Sequence, residues 1–293
     1  LSFLGFGCKK RESTPAGSIY LGQGTMSGEV TDSTVLLQTR LTLGEQLDPS
    51  GELPGAAGVV CFEWSTQEDF THPQRTAFQP AADSNDFIVR AELNDLKPNT
   101  TYHYRACFGT KETTVQVGPN CSFKTLPGGV NDTPVRFIVG SCMNYNKFMH
   151  GKLGKAGEPL TATETDKRLG YPAFEEMLKL HPDFFVGTGD IVYYDNPFRV
   201  AKTIPQLRKC WHEQFRFPRM IERFRSVPAY WSKDDHDFRF NESDNTTDRP
   251  PLPNTGIDVF REQLPLAATG SDKPTYRTHR VSRNLQIWLS GGR

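Results

Sequence analysis

Short apolar runs separated by turn-forming residues dominate the first half of the chain, from about residue 28 to residue 127. None of these runs has the 3.6-residue spacing of an amphipathic helix. Short strands with Gly, Pro, Asn and Asp between them are typical of an antiparallel β-sandwich. The clearest strands are predicted over residues 34–41, 58–64, 87–93 and 101–107.

The segment around the fourth of these strands carries the sharpest local signal. A Pro98-Asn99 turn precedes Tyr102 and Tyr104, which alternate along the strand. This pattern resembles the tyrosine corner of fibronectin type III domains, in which a tyrosine hydroxyl bonds back to nearby backbone. We therefore predict an immunoglobulin- or fibronectin III-like sandwich over residues 28–127, followed by a Pro-Gly-Gly linker.

The second half changes to alternating strands and helices. Apolar residues at helical spacing over residues 173–180 lie between apolar strands at 136–141 and 183–187, a β-α-β unit with parallel strands. A helical region at 205–225, broken near Pro218, leads to another strand at 227–231, and a further strand is predicted at 284–290. An α/β domain is thus expected over residues 128–293, and a chain of this length can hold two domains with separate cores.

Residues with ligand or acid–base chemistry follow three of these strands directly. Cys142 comes after the first, Asp190 and Tyr193 after the second, and Asp-Asp-His-Asp at 234–237 after the third. Each has an ordinary explanation alone: a buried thiol, a turn-capping carboxylate and a solvated loop. Parallel strands end at one edge of a sheet, however, and clustered carboxylates are unfavourable without a cation. The three together favour a metallohydrolase.

Charge and composition exclude other classes. The 34 basic and 34 acidic residues cancel, so no global field favours nucleic acid or an anionic membrane. No apolar stretch is as long as the roughly 18 residues of a membrane-spanning helix. We expect a monomeric globular protein that acts on a small substrate.

The motifs, taken in order, resemble those of the PhoD-like alkaline phosphatases, a branch of the calcineurin-like metallophosphatases. They are Gly-Ser-Cys at 140–142, Gly-Asp-x-x-Tyr at 189–193 and Asp-Asp-His-Asp at 234–237. The resemblance covers residues 28–293. It implies an immunoglobulin-like domain followed by a metallophosphatase domain, and hydrolysis of phosphate monoesters or diesters.

The resemblance also implies residue roles. Cys142 and Tyr193 would supply a thiolate and a phenolate to ferric iron, and Asp190 would bridge the iron and a calcium ion. Asn241 matches an amide ligand of the second metal, and Asp235 and His236 match the loop beside the phosphate. These donor types suit those ions, since soft thiolate and hard oxygen ligands select different metals. Zinc or manganese in a general phosphodiesterase is the alternative metal assignment.

The family's later ligands would follow Arg293, so we expect the C-terminal domain to be incomplete and the 293-residue chain to be inactive by itself. An alternative function is a non-catalytic exported surface-binding module with a degenerate hydrolase domain. Metal content separates the two, because the enzyme should carry stoichiometric iron and calcium.

The N-terminus indicates export. Residues 1–7 are apolar or small and precede Cys8 and three basic residues, which is typical of a signal-peptide remnant that ends at a lipoprotein cysteine. Acylated Cys8 would hold the protein at a periplasmic or cell-surface membrane, with residues 9 to about 27 as a flexible tether. A short strand with an ordinary thiol is the alternative. If the protein is exported, two of Cys61, Cys107 and Cys121 could pair, although core packing explains them equally well.

Overall fold

The computed structural model describes residues 18–151, 162–197, 199–267 and 274–291. The strands are β1 (Thr25–Gly28), β2 (Val35–Arg40), β3 (Gly58–Ser65), β4 (Gln74–Arg75), β5 (Gln79–Ala81), β6 (Ile88–Leu93), β7 (Thr101–Gly109), β8 (Gln116–Val117), β9 (Cys121–Lys124), β10 (Phe137–Gly140), β11 (Phe184–Thr188), β12 (Ala229–Ser232), β13 (Arg277–Ser282) and β14 (Leu285–Leu289). The helices are α1 (Tyr145–His150), α2 (Glu164–Leu169), α3 (Pro172–Lys179), α4 (Ile204–Phe215), α5 (Pro218–Ser226) and α6 (Pro253–Gln263).

The strands form two larger sheets and a hairpin. One six-stranded sheet has the order β10-β11-β12-β1-β2-β6, and its first three strands are parallel. The other is antiparallel, with β3 and β7 at its centre and β4, β5, β8 and β9 on their flanks. Strands β13 and β14 pair with each other. The first half of the described chain is therefore β-rich, as predicted.

The mixed sheet lies between two hydrophobic cores. On β11, Phe184 packs with the apolar residues of the antiparallel sheet, whereas Phe185 packs with the helices. Tyr230 and Trp231 divide in the same way on β12. Strands covered on both faces read as continuous apolar runs, which explains why their sequences show no alternation. One of the two cores is built from both halves of the chain, so the two predicted domains share it.

The two halves of the mixed sheet meet between β1 and β12. Only Gly28 and Ala229 are in register there, in parallel orientation. Side chains reinforce this short seam: the Tyr230 hydroxyl donates to the carbonyl of Val30 at 2.6 Å, and Arg277 of the hairpin pairs with buried Glu29. The predicted boundary at residue 127 thus separates segments that share a sheet.

Several local predictions can be compared with the structure. The backbone N–H of Lys97 donates to the Tyr102 hydroxyl at 2.9 Å, which is the bond that the tyrosine-corner pattern predicts. The predicted helix at 173–180 is α3, and the helical region broken near Pro218 is α4 and α5. No helix in the described part of the chain has the length and apolarity needed to cross a membrane.

The predicted tether is too long. Cys8 and the signal-peptide remnant lie outside the described residues, but Tyr20 already pairs with Thr42, and β1 begins at Thr25. The short sequence Thr-Met-Ser-Gly contains one large apolar residue, and it is a strand because β2 and β12 flank it on both sides. Tertiary pairing here overrides a weak local signal.

A buried polar network ties the first half of the chain to the helices. The Asp86 carboxylate accepts from Arg40 at 3.0 Å through Oδ1, and from Gln263 at 2.7 Å through Oδ2. His212 of α4 lies 2.5 Å from the same Oδ2. All four side chains are buried. Polar groups this deep are stable only when paired, so Asp86 fixes the helices against the mixed sheet.

Candidate metal centre

The parallel strands β10, β11 and β12 end at one edge of the mixed sheet, and a loop follows each. The register places Gly140 beside Gly187, and Gly187 beside Trp231, so the three strand ends lie level. Gly189, at φ +99°, begins the second loop; a Cβ there would lie 2.5 Å from that of Asp234. Only glycine allows the second and third loops to approach this closely.

The first two loops bring together a thiol, a carboxylate and a phenol. The Asp190 Oδ2 atom accepts from the Cys142 Sγ at 3.4 Å and from the Tyr193 hydroxyl at 3.0 Å. Both Cys142 and Asp190 have left-handed backbone, with φ of 62° and 57°. Such conformations are strained for residues with a Cβ and are often found at functional sites. Burial and the neighbouring Asp190 and Cys142 groups raise the pKa of Tyr193 well above its usual range.

The third loop is anchored from below by Asp237. This fully buried carboxylate accepts from the backbone N–H of Ile191 at 3.0 Å and from that of Asp234 at 2.7 Å. Burial, with a contribution from the charges of Asp190 and Asp234, raises the pKa of Asp237 to about 7, against the lowering effect of those backbone bonds. Asp237 therefore holds two loops in register and does not face the site as a ligand.

His236 is oriented by a carboxylate from the second loop. Its Nδ1 lies 2.7 Å from Asp195 Oδ1, while Asp195 Oδ2 accepts from the backbone N–H of Asn241 at 2.8 Å. The His236 ring also packs on Tyr193, with centroids 4.2 Å apart. Burial opposes protonation, but the bond to Asp195 and the nearby carboxylates outweigh it and raise the pKa of His236. Asp195 thus links the imidazole to the loop that carries Asn241.

Three of these residues converge as potential ligands. Asp190, Asp235 and His236 each offer one ligand atom, and these atoms all lie within 4.8 Å of one another. The other carboxylate oxygen of Asp190, Oδ1, is buried and has no hydrogen-bond partner among the described residues. A buried, unpartnered carboxylate oxygen is costly unless a cation neutralises it. The donor set of thiol, phenol, carboxylates and imidazole therefore fits a metal centre.

A cavity opens beside this cluster. Its volume is about 280 Å³, and its walls include Tyr193, His236, Asn241, Asp195 and Lys147. The amide of Asn241 thus lines the same space as the phenol and the imidazole. This is where a small anionic substrate could approach the cluster.

The predicted site residues occupy one region. Cys142, Asp190 and Tyr193 are in contact, Asp235 and His236 lie beside Asp190, and Asn241 lines the adjoining cavity. Their roles as ligands stay predictions. The sequence analysis missed the contribution of Asp195, although an acidic residue two positions after Tyr193 was the available signal.

Comparison with known proteins gives a family match for the N-terminal half and a fold match for most of the chain. Residues 7–127 match the model of the PhoD-like phosphatase N-terminal domain. The solved structure of PhoD superposes with a TM-score of 0.69 and 23% sequence identity, over 92% of this chain and 51% of that one. Residues 7–127 therefore carry a PhoD-like phosphatase N-terminal domain, and the described chain shares the fold of PhoD. The matched segment ends at residue 127, where the sandwich was predicted to end.

A more distant likeness concerns the fold alone. A purple acid phosphatase from yellow lupin (Lupinus luteus) seeds matches with a TM-score of 0.54 and 10% identity, over 90% of this chain and 43% of the lupin protein. The chain therefore spans about half the length of both solved structures. No curated protein matches the sequence.

Proposed function

We propose that this PhoD-like protein is a metal-dependent phosphoester hydrolase. The observation that carries the proposal is the position of Asp190. One of its oxygens contacts Cys142 and Tyr193, and its second oxygen is buried without a partner among the described residues. Potential ligand atoms of Asp190, Asp235 and His236 lie within 4.8 Å of one another. A carboxylate placed in this way can serve two cations at once.

The residues divide by chemistry into two ligand groups. Cys142, Tyr193 and Asp190 would hold ferric iron, since thiolate and phenolate suit it, and Asp190 with Asn241 would hold calcium through oxygen atoms. Bound cations would lower the pKa of a coordinated water and offset charge on the phosphate. The 280 Å³ cavity beside Asn241 and Lys147 supports a phosphate ester as substrate.

His236 would position the phosphate. The contact with Asp195 occupies Nδ1, so Nε2 is the ring nitrogen that would meet a phosphate oxygen. Asp235 supports this loop from beneath, because its carboxylate accepts from the backbone N–H groups of His236 and Glu242. These two bonds would hold the loop in position for a substrate, as electrostatic catalysis requires.

Metal analysis of the full-length natural protein tests the proposal. Stoichiometric iron and calcium, with hydrolysis of p-nitrophenyl phosphate or its bis ester, are expected. Zinc or manganese in place of iron and calcium would support the hydrolase proposal but contradict the assignment of the metals. A protein that binds no metal and hydrolyses neither ester would instead be the non-catalytic binding module.

The thiolate and phenolate assignment has a spectroscopic consequence. Ferric iron bound by these groups should give a visible charge-transfer band, which Cys142→Ser should shift or remove and Tyr193→Phe should weaken. Absorption spectra of the iron-loaded full-length protein measure this. Cys210→Ser, in α4, and Tyr276→Phe, at an exposed tyrosine, are controls that should leave the band unchanged. A band that survives both site variants would contradict the assignment.

We also propose that the protein is exported and anchored through acylated Cys8. The support is the apolar segment before Cys8 and the three basic residues after it. Cells fed a palmitate analogue should label the natural protein but not Cys8→Ala. Equal labelling of the two would remove this proposal and leave the hydrolase proposal untouched.

A further inference from the structure

Two cysteines face each other across the centre of the antiparallel sheet. Cys61 of β3 and Cys107 of β7 are direct partners in the register of the two strands. Both are free thiols, 0% and 1% exposed respectively, and the Cys107 side chain acts as a hydrogen-bond partner of the Cys61 thiol. The two sulfur atoms therefore point toward the same small space.

This pair lies on the outer face of the sheet. The neighbours Val60 and Phe62 belong to the hydrophobic core, whereas Cys61 and Cys107 do not, as the alternation of a strand requires. The same face carries a buried Glu63 that pairs with Arg105 at 2.8 Å. Arg105 in turn lies 4.0 Å from the centroid of the Phe70 ring.

Strand geometry brings the two residues within bonding reach. Directly opposed residues of an antiparallel pair have Cα atoms about 4.5–5.5 Å apart, which is inside the range of about 4.4–6.8 Å found for disulfides. Their Cβ atoms, at about 4.5–5.5 Å, would need to close slightly to the 3.5–4.5 Å of a disulfide. A disulfide between Cys61 and Cys107 therefore requires only a local adjustment of β3 and β7.

We propose that Cys61 and Cys107 form a cross-strand disulfide when the protein folds in the presence of a disulfide oxidant. The Cys61 thiolate attacks the oxidant, a small-molecule or protein disulfide, and releases one of its sulfurs as a thiol. The Cys107 thiolate then attacks the Cys61 sulfur of the mixed disulfide and releases the second thiol. Two protein thiols lose two electrons, and their two protons end on the reduced oxidant.

Burial of the two thiols determines at which stage of folding the thiol–disulfide exchange can take place. It raises the pKa of Cys107 to about 12, with a contribution from Glu63, and it also raises the pKa of Cys61. Thiolate, the reactive form, is therefore scarce in the folded protein. The bond forms while the sheet is still assembling, and after folding it is protected from reductants.

The other described cysteines lack such a partner. Cys121 lies opposite Tyr104 in the register of β7 and β9, and Cys210 lies in α4. Cys142 is exposed at the candidate metal centre. Among the described residues, the sheet register thus selects one pair out of the three cysteines in the β-rich half.

Peptide mapping tests the proposal. The full-length protein is refolded with oxidised and reduced glutathione, alkylated under denaturing conditions, and digested with and without reductant. The peptides containing Cys61 and Cys107 should run as one linked species that reductant separates. Protein refolded with these thiols reduced should have a Tm about 5–15 °C below that of the oxidised protein, the range expected for a disulfide in a chain of this size.

Matched variants distinguish the pair from other pairings. Cys61→Ala and Cys107→Ala should each free the remaining cysteine for alkylation and abolish the Tm difference between protein refolded under oxidising and under reducing conditions. Cys121→Ala should change neither result. Alkylation of both Cys61 and Cys107 in wild type at every glutathione ratio, or a link from either to Cys121, would overturn the proposal. The mapping uses wild type, so it decides the matter even if a variant fails to fold.

Discussion

Asn in place of Asp190 is expected to lower phosphate-ester hydrolysis by on the order of 1000-fold, because it removes the one negative charge that the two proposed metal sites share. The fold should survive. Asn tolerates the left-handed backbone of this position as well as Asp does, and it can still accept the Tyr193 hydroxyl bond. Initial rates with p-nitrophenyl phosphate and its bis ester, together with the metal content, measure the effect.

Asp183→Asn is the matched control. Asp183 directly precedes β11, at the end opposite Asp190, and contacts Lys124 at 3.1 Å and the backbone N–H of Arg136 at 2.8 Å. The Asp183→Asn substitution should change the stability only slightly and leave the activity and the metal content as in wild type. Wild-type activity in Asp190→Asn would show that the site has been misplaced.

The second large effect is expected at Asp86, where Asp86→Ala should lower the free energy of unfolding by about 3–5 kcal/mol. The substitution leaves the buried guanidinium of Arg40, the Gln263 amide and the His212 ring without their common acceptor. An unpaired buried cation costs far more than the pair contributes. Thermal or urea unfolding of wild type and variant measures the loss.

The same network predicts lower stability in acid. Burial raises the pKa of Asp86, but the bonds and charges of His212, Arg40 and Gln263 outweigh it and lower that pKa to about 2. Burial, with the Arg40 charge, also lowers the pKa of His212. In both cases the unfolded chain binds protons more readily than the folded chain, so the free energy of unfolding decreases as the pH is lowered. His212 contributes to this loss below about pH 6.5, and Asp86 contributes from about pH 4 toward pH 2.

Two comparisons isolate these effects. Asp83→Ala, three residues away and exposed, should leave the unfolding free energy within about 0.5 kcal/mol of wild type. His212→Gln should flatten the fall in stability between pH 7 and pH 5. Equal losses in Asp83→Ala and Asp86→Ala, or an unchanged slope in His212→Gln, would contradict the role of the network.

The sequence predicted most of the elements because their signals are local. Apolar periodicity located α3 and the β11 strand, and the proline before Tyr102 located the tyrosine corner. It did not predict that β1 continues the parallel sheet, because four residues with one large apolar side chain carry no period. Gly28 of β1 pairs with Ala229, which lies about 200 positions later in the chain, and no local pattern reveals such a distant partner.

The position of the candidate site was also predictable from local signals, but the role of each side chain was not. Cys142, Asp190 and His236 follow apolar strands, so strand position alone brought them to one edge. The sequence did not reveal Asp195, and it grouped Asp237 with the other carboxylates of its motif, because the roles of both depend on side-chain direction. Asp195 turns back to His236, and Asp237 turns into the protein to accept from backbone N–H groups. Spacing along a loop does not reveal which carboxylate faces the metal and which faces the core.

The short seam between β1 and β12 also limits when β1 can be paired on both edges during synthesis of the protein. Strand β1 can pair with β2 early, but its other edge stays open until Ala229 has left the ribosome. At about 5–20 residues per second, that interval is on the order of 10–40 s. During this time an unpaired strand edge and half of a shared core are exposed to solvent, and such edges invite association. Residues 18–127 produced alone should accordingly self-associate, and sedimentation velocity would reveal a monomer if the sandwich were autonomous.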